Sequence, residues 1–351
     1  MNQVSESQMF CLGVNYRNCT VAVRELFAVG KSRVAEVDVA LSALPGVDEC
    51  VLLSTCNRTE IYYWSKSPED SFQAILHYFL GNAPDASSRR NLFYHLQGQE
   101  ALFHLAAVAS GLDSMVVGET EIFGQLKDAY REALAAGVTA GFANRTFQRV
   151  FTIGKKVRSE SRITSGPTSV GAAAVQMAQG ILGDLAGANV LVVGAGEVAR
   201  TTAQSLRSRG AESVFVANRS YDRAVDLASQ VGGKVIRFTE WIPYLENIDI
   251  VIVSTASPAY VVSPPVLEQV QTTRQRPLFL IDLSVPRNVD PACALVDDVY
   301  VYDMDAMEEV TAETRRLRAA EIAACEQMIY SWIADEGGTL LRSHVYAGHQ
   351  N

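Results

Sequence analysis

Five short apolar runs, at residues 189–193, 213–216, 234–238, 249–254 and 278–283, alternate with stretches of helical periodicity. This rhythm leaves the second half of the chain few architectures, because strands that are apolar on both faces and spaced by helices form a parallel sheet covered on both sides. The first run leads directly into Gly194-Ala195-Gly196-Glu197-Val198-Ala199 and then into a helical pattern through residue 209. Two glycines and a small residue at this spacing mean little alone, but between a strand and a helix they form a dinucleotide fingerprint. Gly194 allows the tight turn, Gly196 lets a pyrophosphate approach the backbone, and Ala199 lets helix and strand pack closely. The opening of the helix offers free N–H groups and a positive dipole end to the phosphates. A glycine turn without a ligand is the plainer alternative.

The end of the following strand selects the cofactor. An NAD site expects a carboxylate there for the ribose hydroxyls, whereas this chain has Ala217-Asn218-Arg219-Ser220. Arg219 with Ser220 suits a 2′-phosphate, so NADPH is the expected cofactor, against the alternative of a solvated loop arginine. The small residues of 254–258 suit an edge along which a nicotinamide ribose lies.

The first half reads differently, with strands expected at 10–14, 50–54 and 61–64 and helical patterns over 98–136 and 144–161. This is an α+β domain. Thr164-Ser165-Gly166-Pro167-Thr168-Ser169 breaks the preceding helix and reads as a linker. From 305 to about 334 one long helical pattern follows, with a short tail. The expected organisation is therefore an α+β catalytic domain at 1–163, an α/β Rossmann-type NADP-binding domain at 164–304, and a long C-terminal helix with its tail at 305–351. No apolar run reaches the roughly 18 residues of a membrane span, and residues 1–7 carry no targeting pattern, so a cytoplasmic protein is expected. A net charge of −9 argues against a general nucleic-acid binder but leaves room for a local basic stripe. Candidates are Arg145, Arg149, Lys155, Lys156, Arg158 and Arg162, with Arg315, Arg316 and Arg318, against ordinary solvated faces.

Six cysteines are scattered without a C-x-x-C pair, so neither a metal site nor a disulfide framework is expected. Cys11, Cys19, Cys50, Cys293 and Cys325 read as buried small hydrophobes. Cys56 differs. It follows a strand end within Ser54-Thr55-Cys56-Asn57-Arg58-Thr59-Glu60, where Thr55, Asn57 and Arg58 are polar donors able to grip a carboxylate or an amino-acid head group. Arg58 would favour a thiolate if its side chain turns toward the sulfur. A second polar island, 111–125, lies between two helices and holds Ser114, Glu119, Thr120, Glu121 and Gln125 beside glycines, the composition of a ligand-binding loop. His104 precedes it among Leu102, Leu105 and Ala109, where a histidine is more often packed and hydrogen-bonded than catalytic.

Together with Gly154-Lys155-Lys156-Val157-Arg158 and Ile281-Asp282-Leu283-Ser284-Val285-Pro286-Arg287, these islands resemble the glutamyl-tRNA reductase family from about residue 10 to about residue 330. The resemblance implies NADPH-dependent reduction of glutamyl-tRNA(Glu) to glutamate-1-semialdehyde, the first step of tetrapyrrole (porphyrin, haem) biosynthesis from glutamate. It makes Cys56 the nucleophile that forms a thioester, and His104 a histidine important for activity. It makes Thr55, Asn57, Arg58, Ser114, Glu119, Thr120, Glu121 and Gln125 substrate-holding residues. The thioester divides one difficult acyl step into two, and hydride then reduces it to the aldehyde. Since thiol and nicotinamide belong to different domains, this chemistry requires the domains to meet. The resemblance also implies a homodimer and a glutamate-1-semialdehyde aminomutase that receives the product.

Two departures from the family pattern stand out. Its early Gly-x-Asn-His-x-Thr-Ala-Pro stretch is here Gly13-Val14-Asn15-Tyr16-Arg17-Asn18-Cys19-Thr20. The resemblance implies a helical dimerisation domain after the long helix, and the short tail here leads to the expectation that it is truncated or absent. Two other functions compete: an NADP-dependent dehydrogenase of a small hydroxy acid, which leaves Cys56 and the 114–125 island without a role, and a catalytically inactive tRNA- or partner-binding homologue, which the intact Cys56 and fingerprint oppose.

Overall fold

The computed structural model describes residues 7–81, 89–164, 170–182, 185–211, 213–271, 274 and 276–341. The expected linker therefore lies largely outside the described residues. The chain forms two compact units, one of residues 1–165 with 317–351 and the other of 166–316.

In the first unit a four-stranded antiparallel sheet has the order β2-β3-β1-β4, made by β1 (Gln8–Asn15), β2 (Glu49–Ser54), β3 (Arg58–Ser65) and β4 (Tyr94–Gln97). All of β3 is buried, since it lies between β1 and β2 and is covered on its faces. Helices α1 (Val21–Phe27), α2 (Val34–Ser42), α3 (Pro68–Leu80), α4 (Gln99–Ser110), α5 (Glu121–Ala135) and α6 (Gly141–Glu160) complete this unit's N-terminal part. One apolar core joins the sheet to α2, α4, α5 and α6 through Leu41, Leu52, Tyr62, Leu105, Leu126 and Phe147. Polar groups fix how these elements meet. Asp38 on α2 accepts from the N–H of Leu52 at 2.9 Å on the outer edge of β2, and Glu49 takes the N–H groups of Ala140, Phe142 and Ala143 that open α6. Both arrangements satisfy backbone donors that helix ends and sheet edges otherwise leave open.

The second unit is a six-stranded, fully parallel sheet in the order β10-β9-β8-β5-β6-β7. Its strands are β5 (Asn189–Val193), β6 (Ser213–Asn218), β7 (Lys234–Arg237), β8 (Ile250–Val253), β9 (Leu278–Asp282) and β10 (Val299–Tyr302). Helices α7 (Val170–Leu182), α8 (Glu197–Ser208), α9 (Tyr221–Val231) and α10 (Pro264–Gln271) connect or precede them. β5 lies between β6 and β8, so the strand order reverses at its carboxyl end, where doubly wound sheets bind ligands. The α+β and Rossmann-type readings both hold.

The single long C-terminal helix does not. It divides into α11 (Met304–Leu317) and α12 (Ala319–Trp332), and a wide turn at Ile333–Gly337 leads into α13 (Gly338–Leu341). The break falls at Arg318 (φ −98°, ψ 7°), whose guanidinium donates to the carbonyls of Val117 at 3.0 Å and Ile163 at 2.9 Å. The region expected to begin at 305 is consequently shared. Residues through Arg316 belong with the parallel sheet, while Cys325, Ile329 and Ile333 join the first unit's core. No helix among the described residues is long and apolar enough to cross a membrane.

Candidate active site

Cys56 sits at the tip of the β2–β3 hairpin. The Thr55 N–H donates to the Arg58 carbonyl at 2.8 Å, and the Thr55 hydroxyl accepts the N–H groups of Asn57 and Arg58, so threonine closes its own turn. The Tyr16 N–H donates to the Asn57 carbonyl at 2.9 Å and ties that turn to the end of β1. Cys56 is half-buried, whereas Cys11, Cys19, Cys50, Cys293 and Cys325 are buried, as the sequence reading expects. Burial first, then the carboxylates of Glu119 and Glu121, push the Cys56 thiol up to about 12, while Arg24 pulls the other way.

Arg58 does not turn toward that sulfur, and the expected thiolate stabiliser is thereby corrected. Its guanidinium is 1% exposed and points inward, donating through Nη1 to Glu60 at 2.6 Å and to Asp113 at 2.9 Å, and through Nη2 to the Asp113 carbonyl. A buried guanidinium needs this much compensation, because removing it from water is costly unless its donors are matched. Glu60 is equally buried and accepts from Arg58, Tyr62, Tyr94 and, at 2.9 Å, His104 Nε2. Burial alone would raise the Glu60 carboxyl, but Arg58, His104 and these hydrogen bonds outweigh it and hold the carboxyl well below its ordinary range. Burial likewise opposes ionisation of Asp113, and Arg58, His104 and Arg17 overcome it.

His104 thus belongs to the Glu60 cluster, packed beside Tyr62 and Tyr94, and makes no hydrogen bond with Cys56. Cys11, Glu60 and His104 bring their ligand atoms within 4.8 Å of one another. That donor set fits a metal poorly, since Glu60 already receives four donors, one of them a guanidinium.

The 111–120 loop runs from α4 to α5. Gly118 has φ +86°, and a Cβ there would collide with the Ile163 carbonyl, so glycine alone allows this close approach. Ser114 is buried, and its side chain favours the ionised form of Glu119. Burial first, then Glu121, raise the Glu119 carboxyl to about 7. Thr120 is exposed just before α5, while Glu121 and Gln125 are half-buried one turn apart on that helix. Asn57 is 6% exposed, and its Oδ1 has no hydrogen-bond partner among the described residues. A buried acceptor left open at the hairpin tip is a place for a ligand's donor.

Of the basic stripe, Arg145, Arg149, Lys155, Lys156 and Arg162 are exposed. Arg158 instead turns inward to the Glu119 carbonyl at 3.1 Å, over the Phe123 ring, and Arg318 is likewise committed to carbonyls. The sequence reading assigned no role to Glu60, Asp113 or Arg24. Glu60 lay within the Cys56 motif and Asp113 within the polar island, so the signal was present; Arg24, on α1 before β2, lay in neither.

In the second unit the fingerprint residues form the turn between β5 and α8. Gly194 has φ +121°, and a Cβ there would strike the Ser254 carbonyl at the end of β8. A Cβ on Gly196 would meet nothing within 4 Å, which leaves the backbone that opens α8 accessible. Ala195 and Glu197 flank it, Val198 follows on α8, and Ala199 is fully buried beneath the helix. Asn218 donates to the Ser220 carbonyl at 2.9 Å, with Arg219 exposed between them. An open backbone at a helix N-terminus, and an arginine rather than a carboxylate at the end of β6, fit a phosphorylated dinucleotide.

Comparison with known proteins places these features in a family. Residues 12–161 match the family model of the glutamyl-tRNA(Glu) reductase N-terminal domain, and residues 176–310 match that of shikimate/quinate 5-dehydrogenase. The glutamyl-tRNA reductase of Akkermansia muciniphila is 52% identical over 323 residues, covering 92% of this chain and 95% of the relative. That of Magnetococcus marinus is 39% identical over 324 residues, covering 92% and 77%. The solved glutamyl-tRNA reductase of Methanopyrus kandleri is 33% identical, with a TM-score of 0.49 over 95% of this chain and 79% of that one. Identity of this extent, running through both the hairpin that carries Cys56 and the fingerprint turn, makes the chain a member of the glutamyl-tRNA reductase family.

Proposed function

We propose that this chain reduces glutamyl-tRNA(Glu) to glutamate-1-semialdehyde with NADPH, the first step of tetrapyrrole biosynthesis. The observation that carries the reading is the half-buried Cys56 at a hairpin tip, electrostatically coupled to the buried carboxyl of Glu119, in a chain 52% identical to a named glutamyl-tRNA reductase. Cys56 Sγ attacks the ester carbonyl; a C–S bond forms, the C–O bond to the tRNA breaks, and the departing terminal hydroxyl takes up a proton.

The free protein holds the thiol protonated, because burial first, and then repulsion from Glu119 and Glu121, disfavour a thiolate. The α-ammonium group of a glutamyl ester is a cation suited to these carboxylates. Its arrival beside Glu119 and Glu121 removes the repulsion, so that binding itself lowers the thiol pKa and couples activation to the correct substrate. Asn57 Oδ1, the open buried acceptor, suits the same ammonium group. Thr55 holds the turn, Ser114 favours the charged form of Glu119, and Thr120 and Gln125 border the loop that receives the glutamyl end. Arg58 serves from within, as the buried centre around which Glu60, Asp113 and His104 assemble. His104 supports the site through Glu60.

The turn at Gly194, Ala195, Gly196, Glu197, Val198 and Ala199, with Asn218, Arg219 and Ser220, would hold NADPH, which would supply the hydride that brings the acyl carbon to the aldehyde level as the C–S bond breaks and the Cys56 thiolate leaves. The exposed bases of α6 supply charge for tRNA phosphates. A cytoplasmic location, a homodimer and a glutamate-1-semialdehyde aminomutase that consumes the reactive product belong to the same reading and rest on the family.

A single-turnover reaction with glutamyl-tRNA(Glu) tests it. Wild-type protein forms the aldehyde with NADPH, and without cofactor accumulates a protein-bound acyl group or free glutamate. Cys56→Ser forms neither the adduct nor the aldehyde. Undiminished reduction by Cys56→Ser would remove the nucleophile from the proposal.

A further inference from the structure

Arg17 follows Tyr16, one of the positions where the chain departs from the family pattern, and its contacts join three separate segments. Its Nη2 meets Asp113 Oδ1 at 2.8 Å, and its Nε donates to the Tyr16 hydroxyl at 3.1 Å. The Tyr16 hydroxyl in turn donates to the Ser114 carbonyl at 3.1 Å. The other oxygen of the same carboxylate, Asp113 Oδ2, accepts from Arg58 Nη1 at 2.9 Å, and the Asp113 carbonyl accepts from Arg58 Nη2. The exit of β1, the Cys56 hairpin and the 111–120 loop therefore converge on one residue, Asp113, with one guanidinium on each carboxylate oxygen.

The two arginines are not equivalent. Arg58 is 1% exposed and also bound to Glu60, so it is part of the folded core. Arg17 is 45% exposed, and among the described residues its side chain is held from the Asp113 and Tyr16 side. We propose that Arg17 is a positioning residue for acyl transfer: through Asp113 and Tyr16 it locks the loop carrying Ser114 and Glu119 against the hairpin carrying Cys56. This rests on the reductase reading for its kinetic consequence, but the lock itself is a property of the free protein. Without Arg17, Asp113 Oδ1 loses its charged partner and the Tyr16 hydroxyl loses a donor, so on this side the loop keeps the Arg58 contacts and a Tyr16–Ser114 hydrogen bond whose tyrosine is no longer braced. A loosened receiving loop slows the chemical step. It leaves tRNA affinity nearly unchanged, since that affinity comes mainly from phosphate contacts elsewhere.

The test compares wild type, Arg17→Ala, Arg17→Lys and Tyr16→Phe in two measurements. In steady-state reduction of glutamyl-tRNA with NADPH, Arg17→Ala is expected to lower kcat about ten-fold with KM within two-fold. Arg17→Lys, which keeps the charge opposite Asp113 but loses the fork to Tyr16, should recover part of that loss, and Tyr16→Phe should fall between wild type and Arg17→Ala. In hydrogen–deuterium exchange of the free protein, Arg17→Ala should speed exchange within 111–120 about ten-fold while leaving 34–42 unchanged, a local pattern that general destabilisation would not produce. Unchanged kcat, or a raised KM at unchanged kcat, overturns the positioning role, the latter by making Arg17 a direct tRNA contact. Unchanged exchange in the loop overturns the lock. Wild-type protein inactive on glutamyl-tRNA would defeat the reductase reading, and the exchange comparison would still decide the lock.

Discussion

Cys56 and Glu119 are set against each other before substrate arrives. The thiol is pushed up to about 12 by burial and by two carboxylates, and the Glu119 carboxyl is raised to about 7 by burial and by Glu121. Glu119→Gln removes the largest charge acting against the thiolate. Alkylation of Cys56 by iodoacetamide at pH 8 should therefore run about five-fold faster in this variant, with its midpoint moved below the wild-type value. Turnover with glutamyl-tRNA should instead fall at least about ten-fold, since the neutral amide no longer pairs with the ammonium group. Opposite changes in reactivity and turnover distinguish an electrostatic partner from a packing residue; unaltered alkylation would show that Glu119 does not govern the thiol. The same carboxyl has a stability signature. Its folded pKa lies above the ordinary 4.5, so its contribution is fully present below that pH and is lost as pH rises toward 7. Glu119→Gln should flatten the stability–pH curve in this interval.

At the level of elements, legibility followed how far each element is defined by its own residues. The apolar runs of β5, β6, β8 and β9 are mostly buried and announced themselves by composition. β4 and β10 are four-residue edge strands, each paired with a single neighbour, and pairing rather than pattern makes them strands. Cys56 was legible because polar residues after a buried strand mark a turn. The direction of Arg58 was not, because it depends on Glu60 two residues along the strand and on Asp113, 55 residues away. The break between α11 and α12 has no proline or glycine to signal it. It is marked by Arg318, which spans from the helix to the carbonyls of Val117 and Ile163. Arg318→Ala leaves two carbonyls in buried surroundings without their charged donor, a loss of about 2 kcal/mol. Urea denaturation should show this as a lower midpoint at unchanged slope, and exchange should quicken around Val117. A midpoint equal to wild type would mean that water replaces the guanidinium without loss.

Across the whole molecule, each of the two units has its own apolar core and, in the proposed function, carries one half of the chemistry. The thiol, its carboxylates and the loop lock lie in the first, and the fingerprint turn with Asn218 and Arg219 lies in the second. Net charge could not reveal this division, because a chain at −9 still exposes Arg145, Arg149, Lys155, Lys156 and Arg162 along one helical stretch. If the halves act through separate residues, they can be disabled separately. Cys56→Ala should abolish acyl transfer while NADPH still binds with a Kd within two-fold of wild type, measured by quenching of protein fluorescence. Arg219→Ala should weaken NADPH about ten- to one hundred-fold and leave NADH nearly unaffected, the size expected for losing a guanidinium–phosphate contact of about 1.5–3 kcal/mol. The same variant should release glutamate from glutamyl-tRNA at the wild-type rate when no cofactor is present, because the acyl step uses no group of the second unit. Equal loss of NADPH and NADH would show that Arg219 supports the turn and does not read the 2′-phosphate, and slowed cofactor-free deacylation would show that the acyl step depends on the second unit after all.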